Sequence, residues 1–268
     1  MPASRSPSSH AEAAPRSRSY WPLVLIGLAA VLAVVISSVP ASIVSRFLPP
    51  EVHAEDFSGS IWHGSAGKIS INARDAGALE WRLHPAALFE MRVSADLHWV
   101  KVAFVADAAV NVDRQGFSAH TVKGGGPIED LRDFGVAAGW RGMAGIDFSE
   151  LKGDWVRPLA AVGDINVSNL SSPQIAQGAD LGGYDLRLAA GAVAADGSVT
   201  AQLADAGGPL DVKAVISLST KERTGILTGT LWERPEASAA LRSDLEGLVQ
   251  LRGRDPQGRI PVDLEFTW

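Results

Sequence analysis

Past its first forty residues the chain alternates polar and apolar positions with a period of two. Lys68-Ile69-Ser70-Ile71-Asn72 and Leu79-Glu80-Trp81-Arg82-Leu83 are clear examples. This period places successive side chains on opposite faces of a strand. Further strands are expected over residues 92–112, 117–122, 146–151, 161–167, 184–188, 198–203, 210–218 and 225–232, with a last one over 259–268. Turn signals separate them, including Asp113-Arg114-Gln115-Gly116 and the hairpin-type pair Asp196-Gly197. Gly124-Gly125-Gly126-Pro127 reads as a soft joint.

Three stretches change to a helical pattern. Residues 85–89 start at Pro85, and residues 128–137 follow the glycine run. The longest, 235–248, has Pro235-Glu236 suited to a first turn and Leu241, Leu245 and Leu248 at helical spacing. These leucines are expected in the core. Many short strands with turns every ~8–12 residues indicate a mainly β domain over 57–268, joined by a connector over 40–56.

The pattern is different at the start. Tyr20 to Val39 reads YWPLVLIGLAAVLAVVISSV, without a charge. About 20 apolar residues span the ~30 Å hydrocarbon core of a bilayer as a helix. Tyr20 and Trp21 suit the headgroup region, and Pro40 ends the segment. Arg5, Arg16 and Arg18 precede it, so the positive-inside rule places the N-terminus in the cytoplasm. A Ser-, Pro- and Arg-rich tail over 1–19 is expected to be disordered. The rival is a cleaved signal peptide, with small residues around Val39-Pro40-Ala41. The apolar run is longer than the usual ~7–15 residues of such a peptide, and proline beside the cut opposes it. A soluble protein with a buried helix here is a third reading.

Composition narrows the chemistry. The chain of 268 residues carries a formal charge of −6, and its basic tail makes the remainder more acidic still. No Lys/Arg cluster offers itself to phosphates, which argues against nucleic acid as a partner. The absence of cysteine excludes disulfides, thiolate metal sites and thiol nucleophiles. Gly64-Ser65-Ala66-Gly67 is not a nucleophile elbow, because His63 stands two residues before Ser65. Gly124-Gly125-Gly126 lacks the Gly-Lys-[Ser/Thr] of a phosphate loop. The six His are scattered, with no metal-binding spacing. Glu129, Asp130 and Asp133 suit a helix N-terminal turn better than an acid/base pair.

Two tryptophan motifs remain. Gly59-Ser60-Ile61-Trp62-His63-Gly64 stands early, and Thr228-Gly229-Thr230-Leu231-Trp232 late. Read as a strand, the first places Ile61 and Trp62 on opposite faces, with Gly59 permitting a close approach or bulge. Trp62 then either covers the rim of the core or lines a partner-facing groove. Phe57 to Gly67 resembles the G-[ST]-[LI]-W-x-G-x-A segment of type II secretion system protein N. Trp81-Arg82-Leu83-His84-Pro85-Ala86-Ala87-Leu88 resembles the W-x-L-x-P-x-x-L stretch of the same family. Gly229 to Trp232, a helix, and then Gly258-Arg259-Ile260-Pro261-Val262 resemble its closing segment.

The resemblance implies a single-pass inner-membrane protein with a periplasmic, elongated and curved antiparallel β-sheet carrying a few short helices. It implies a non-enzymatic part in exporting folded proteins across the outer membrane of Gram-negative bacteria. The inner-membrane platform components and the outer-membrane secretin are the partners implied. Gly59, Ser60, Ile61, Trp62, Gly64, Trp81, Pro85, Gly229, Trp232, Arg259 and Pro261 are its motif residues, with a structural role. It brings no catalytic residue, cofactor or metal. The family also looks related to AsmA-like envelope proteins. This implies the alternative of a β groove that contacts or carries envelope lipid.

Overall fold

The structure is a computed structural model and describes residues 38–267. The expected tail over 1–19 and all but the last two positions of the expected membrane helix lie outside the described residues. Among the described residues no helix is long and apolar enough to cross a membrane.

The fold is mainly β: one large antiparallel sheet with a few short helices. The strands are β1 (Val52–Gly59), β2 (His63–Ile71), β3 (Arg74–Leu83), β4 (Val93–Lys101), β5 (Phe104–Val112), β6 (Gly116–Pro127), β7 (Arg141–Asp154), β8 (Pro158–Ser172), β9 (Ile175–Asp180), β10 (Tyr184–Leu188), β11 (Val199–Asp205), β12 (Leu210–Ser219), β13 (Thr224–Glu233) and β14 (Ile260–Thr267). Each pairs with its sequence neighbour, except that β10 pairs with β8, and β9 lies off the path against the end of β8.

Because consecutive strands reverse direction, their connections fall at two ends of the sheet. At one end are the β1–β2, β3–β4, β5–β6, β7–β8, β10–β11 and β12–β13 links. Pro40, where the chain enters the fold, bridges to Ser60 at this end; it is termed the entry end. The other, the crossover end, carries the longer insertions: residues 128–140, β9, and the α-helix α1 (Ala239–Arg252). Three 3-10 helices are described: η1 (Ala41–Phe47), η2 (Pro85–Glu90) and η3 (Ile128–Phe134).

Register makes one face of the sheet apolar along its whole path. Leu79 faces Trp99, Trp99 faces Ala106, Ala144 faces Val167, and Leu186 faces Leu203. Ile216 faces Leu227, which faces Leu264. The opposite face is polar. Its cross-strand ion pairs are His98–Asp107 at 2.7 Å, Lys123–Asp147 at 2.9 Å and Arg187–Asp164 at 2.8 Å. Asp147 and Asp164 stand opposite each other in the register, and each has its own cation. Such exposed, solvent-screened pairs add little stability, but they mark which face meets water.

Several sequence expectations are corrected. Ile61 and Trp62 are not in a strand. Gly59 has a left-handed φ of 79°, and Ser60 N–H donates to His63 O at 2.9 Å, so the chain reverses there. The glycine run is no joint: Gly124, Gly125 and Gly126 continue β6, paired to both β5 and β7. Strands approach closely here, and a Cβ on Gly124 would lie 2.7 Å from the Ala106 Cβ. Residues 92–112 form two strands, split at Val102, whose φ is 55°. β1 begins at Val52, inside the expected connector. Pro235-Glu236 precedes the long helix instead of opening it. Ser238 is the N-cap, its Oγ accepting from Leu241 N–H at 3.1 Å. Leu241 and Leu245 are buried as expected, against Ala176, Leu181, Ala237 and Ile260.

Candidate functional site: an apolar trough

The first four strands present their apolar side chains to a cavity of about 560 Å³. Its floor includes Ala54, Phe57, Ile69, Leu79, Trp81, Leu97 and Trp99. Val44 and Leu48 from the η1 segment and Leu131 and Phe134 from η3 form its walls. No lining side chain is charged. The two side chains with a polar atom are Trp81 and Trp99, and both indole N–H groups are already used. Trp81 Nε1 donates to Ile61 O at 2.9 Å, and Trp99 Nε1 to Ala76 O at 2.6 Å. The trough therefore offers apolar contact and almost no hydrogen bonding.

Local sequence explains the floor. Gly64 pairs with Trp81, and a Cβ there would lie 2.6 Å from the indole Cζ2. Only glycine leaves room for the ring. Phe57 meets the same indole edge-on at 6.5 Å between centroids. Trp99 packs against Phe104 and Phe134, each at 5.7 Å.

η3 is held over the trough by polar contacts at the β4–β5 turn. Lys101, only 4% exposed, donates to Asp133 Oδ2 at 2.5 Å and also to the Asp75 carbonyl. Its ammonium lies 5.2 Å from the Phe134 ring centroid. Asp130 accepts from Ala103 N–H at 2.9 Å. The hydrogen bond from Lys101 holds the Asp133 carboxyl below its ordinary range. Asp130 and Asp133 thus fasten η3 to the sheet.

Beyond η3 lies a second apolar cavity of about 650 Å³, between Trp140, Leu170, Leu203 and Leu210 on one side and Leu241, Leu245 and Leu248 of α1 on the other. Asp244 and Tyr184 are its polar members. Asp244 accepts from Ala176 N–H at 2.7 Å, and Tyr184 O–H donates to Leu181 O at 2.9 Å. Burial pushes the Tyr184 phenol up to about 12.

The motif residues fall into two groups. Gly59, Ser60, Ile61, Trp62 and Gly64 form the β1–β2 corner, against which Trp81 is pinned, and Pro85 opens η2. Gly229, Trp232, Arg259 and Pro261 meet at the last two strands. Gly229 lies on the apolar face beside Ala214, while Trp232 projects from the polar face, partly exposed. Arg259 N–H donates to Asp255 at 2.8 Å, and Pro261 pairs with Thr230 in the final strand. The two Trp motifs are thus unlike: one is a turn, the other a strand. Only Trp81 of the motif residues lines the trough. Sequence reasoning missed Trp99, Lys101 and Phe134, and placed Asp130 and Asp133 in a helical first turn without their partners Ala103 and Lys101. The contacts of η3 with the β4–β5 turn span about thirty positions and leave no periodic signal.

A polar groove on the opposite face contains Glu80, Arg82, Asp96, His98 and Asp107. His98 of the groove lies 2.7 Å from Asp107, and Asp96 is paired with His84 beside it at 3.0 Å. Among the described residues no group of three or more His, Asp or Glu side chains is placed to hold a metal ion. No curated protein and no solved structure matches the chain. A model of the type II secretion system protein N family matches residues 50–263. That span takes in β1 through β13 and the first half of β14, so the corner, the trough floor and the closing Trp motif fall within it. The chain belongs to the type II secretion system protein N family.

Proposed function

We propose that this protein is a non-catalytic subunit of the type II secretion system, held in the inner membrane through residues 20–39. Its N-terminus is cytoplasmic and its β domain periplasmic. There it assists the export of folded proteins, in contact with inner-membrane platform components and the outer-membrane secretin. The family match carries this reading. The charge-free segment of bilayer length and the arginines before it support the topology. Purification of the tagged full chain from gently solubilised membranes of a secreting host tests it. Platform components are expected to copurify; a chain that returns alone from crosslinked membranes contradicts the partnership. A reporter fused after Thr267 is expected to be active in the periplasm and inactive in the cytoplasm.

One observation favours a second role for the same domain. The trough lining is apolar, and both of its indole N–H groups are spent on backbone carbonyls. A peptide would bury its own amides there without partners; a lipid acyl chain has none to bury. Mass spectrometry of the gently purified protein is expected to recover phospholipid. Lipid-free protein that retains its fold would remove this role.

A further inference from the structure

We propose that the entry end of the sheet rests on the bilayer and that the β3–β4 loop dips its apolar tip into the headgroup region. This rests on the membrane-anchor reading above. In η2 and its cap, Phe89 is 93% exposed and Met91 76%, with Leu88 half exposed beside them. Three adjoining exposed apolar side chains on one loop form a patch, which solvent alone does not favour. The place of this patch in the fold gives it meaning. The bilayer-length segment ends at Val39, and Pro40 bridges to Ser60 in the β1–β2 corner. The corner adjoins the start of the loop, where Leu83 N–H donates to Trp62 O at 2.7 Å. Pro40 and the loop are therefore about two strand spacings, ~10 Å, apart.

Pro40, the first residue after that segment, thus enters the fold near Phe89, the most exposed phenylalanine of the described residues. Aromatic and aliphatic tips next to a membrane-spanning segment settle in the interface. Charge does not oppose the contact: Glu90, the one carboxylate of the loop, pairs with Arg92 at 2.8 Å. Farther along the same end the β7–β8 turn exposes a second apolar pair, Trp155 and Val156, and beyond it the end becomes polar. The β12–β13 turn is Thr220-Lys221-Glu222-Arg223. At the crossover end the exposed apolar residues Phe47, Val102 and Leu251 come from three separate elements. The trough lies behind the loop, with Leu83 and Ala95 at the adjoining strand ends among its lining. An inserted loop would bring the end of that trough to the lipid.

The chain has no cysteine, so single probes are easily placed. The full chain, carrying F89C, M91C, E222C or L251C with an environment-sensitive fluorophore, is reconstituted in phosphatidylethanolamine–phosphatidylglycerol vesicles. Shallow spin-labelled phospholipid is expected to quench the F89C and M91C labels at least about threefold more than the E222C and L251C labels. Their emission should also shift to the blue. Equal quenching at all four sites, in protein that floats with the vesicles, overturns the loop insertion while leaving the anchor intact. Protein that does not float with the vesicles overturns the anchor and the insertion together. Using two sites in the loop guards against one label disturbing the fold.

Discussion

The first four strands and the last five carry the same alternation, yet their apolar faces end differently. Over β10–β14 the face meets α1 and β9, and Leu241 and Ile260 are almost completely buried. Over β1–β4 it meets only 3-10 helices, and the fully buried hydrophobic residues of β1–β3 are alanines, Ala66 and Ala76. Its large side chains stay partly open to the trough. The difference teaches that a period-two pattern specifies an apolar face but not its cover. A core or a binding surface follows from what the connections supply. Here the long insertion between β13 and β14 supplies an amphipathic helix, whereas the short links of β1–β4 supply none.

The sharpest way to break this contrast is truncation at matched leucines. Leu241→Ala is expected to cost about 2–5 kcal/mol, because the side chain is enclosed and leaves a cavity. Leu97→Ala in the trough is expected to cost less than about half of that: both leucines border a cavity, but Leu97 is only partly buried whereas Leu241 is 2% exposed. Urea midpoints of the two variants check this; equal losses would mean that the trough is as tightly packed as the α1 region.

Gly64→Ala probes the trough floor. The added methyl meets the Trp81 ring, so a loss of about 1–3 kcal/mol and a shifted indole emission are expected. An unchanged emission spectrum would show that the ring does not depend on this glycine. Ser238→Ala removes the cap that starts α1 and should lower stability by about 1 kcal/mol. In helical circular dichroism its effect should be confined to the α1 side.

The two regions also respond to pH in opposite ranges. Tyr184 is raised from 10.0 to about 12, so the folded protein retains a proton that the unfolded chain releases. Stability is therefore expected to fall as pH rises from about 10 toward 12, and Tyr184→Phe should flatten that limb. Asp133 is depressed, chiefly by the hydrogen bond from Lys101. Its contribution is present above its ordinary value of 3.8 and lost as pH falls through the lowered one. Asp133→Asn should remove this small acid limb and loosen η3. Hydrogen exchange of the Ala103 amide reports that loosening.

Much of the architecture was legible because it is periodic. Leu241, Leu245 and Leu248 announced a helix with one buried face, and Leu79-Glu80-Trp81-Arg82-Leu83 announced a strand with Trp81 on its apolar side. The β1–β2 corner was not legible, because Ile61 and Trp62 look like continued alternation. The left-handed φ at Gly59 and the hydrogen bond from Ser60 N–H to His63 O show that the chain turns. β9 was missed since its six residues are short and lie off the sheet path. Of the trough floor, Ile69, Leu79 and Trp81 could be read from their alternation, whereas Ala54 lies in the expected connector and Trp99 was missed. The walls of the trough could not be read, because Val44, Leu48, Leu131 and Phe134 come from 3-10 segments that carry no period of their own. The buried Lys101 was hidden for a related reason: a lysine at a strand end ordinarily faces water, and its partner Asp133 is 32 residues away.

Export of folded proteins tests the functional claim most directly. In a host with an active type II secretion system, deletion of the chromosomal gene is predicted to lower extracellular exoprotein and leave it in the periplasm. The full chain supplied in trans is predicted to restore it. Undiminished export in the deletion host would contradict the assignment.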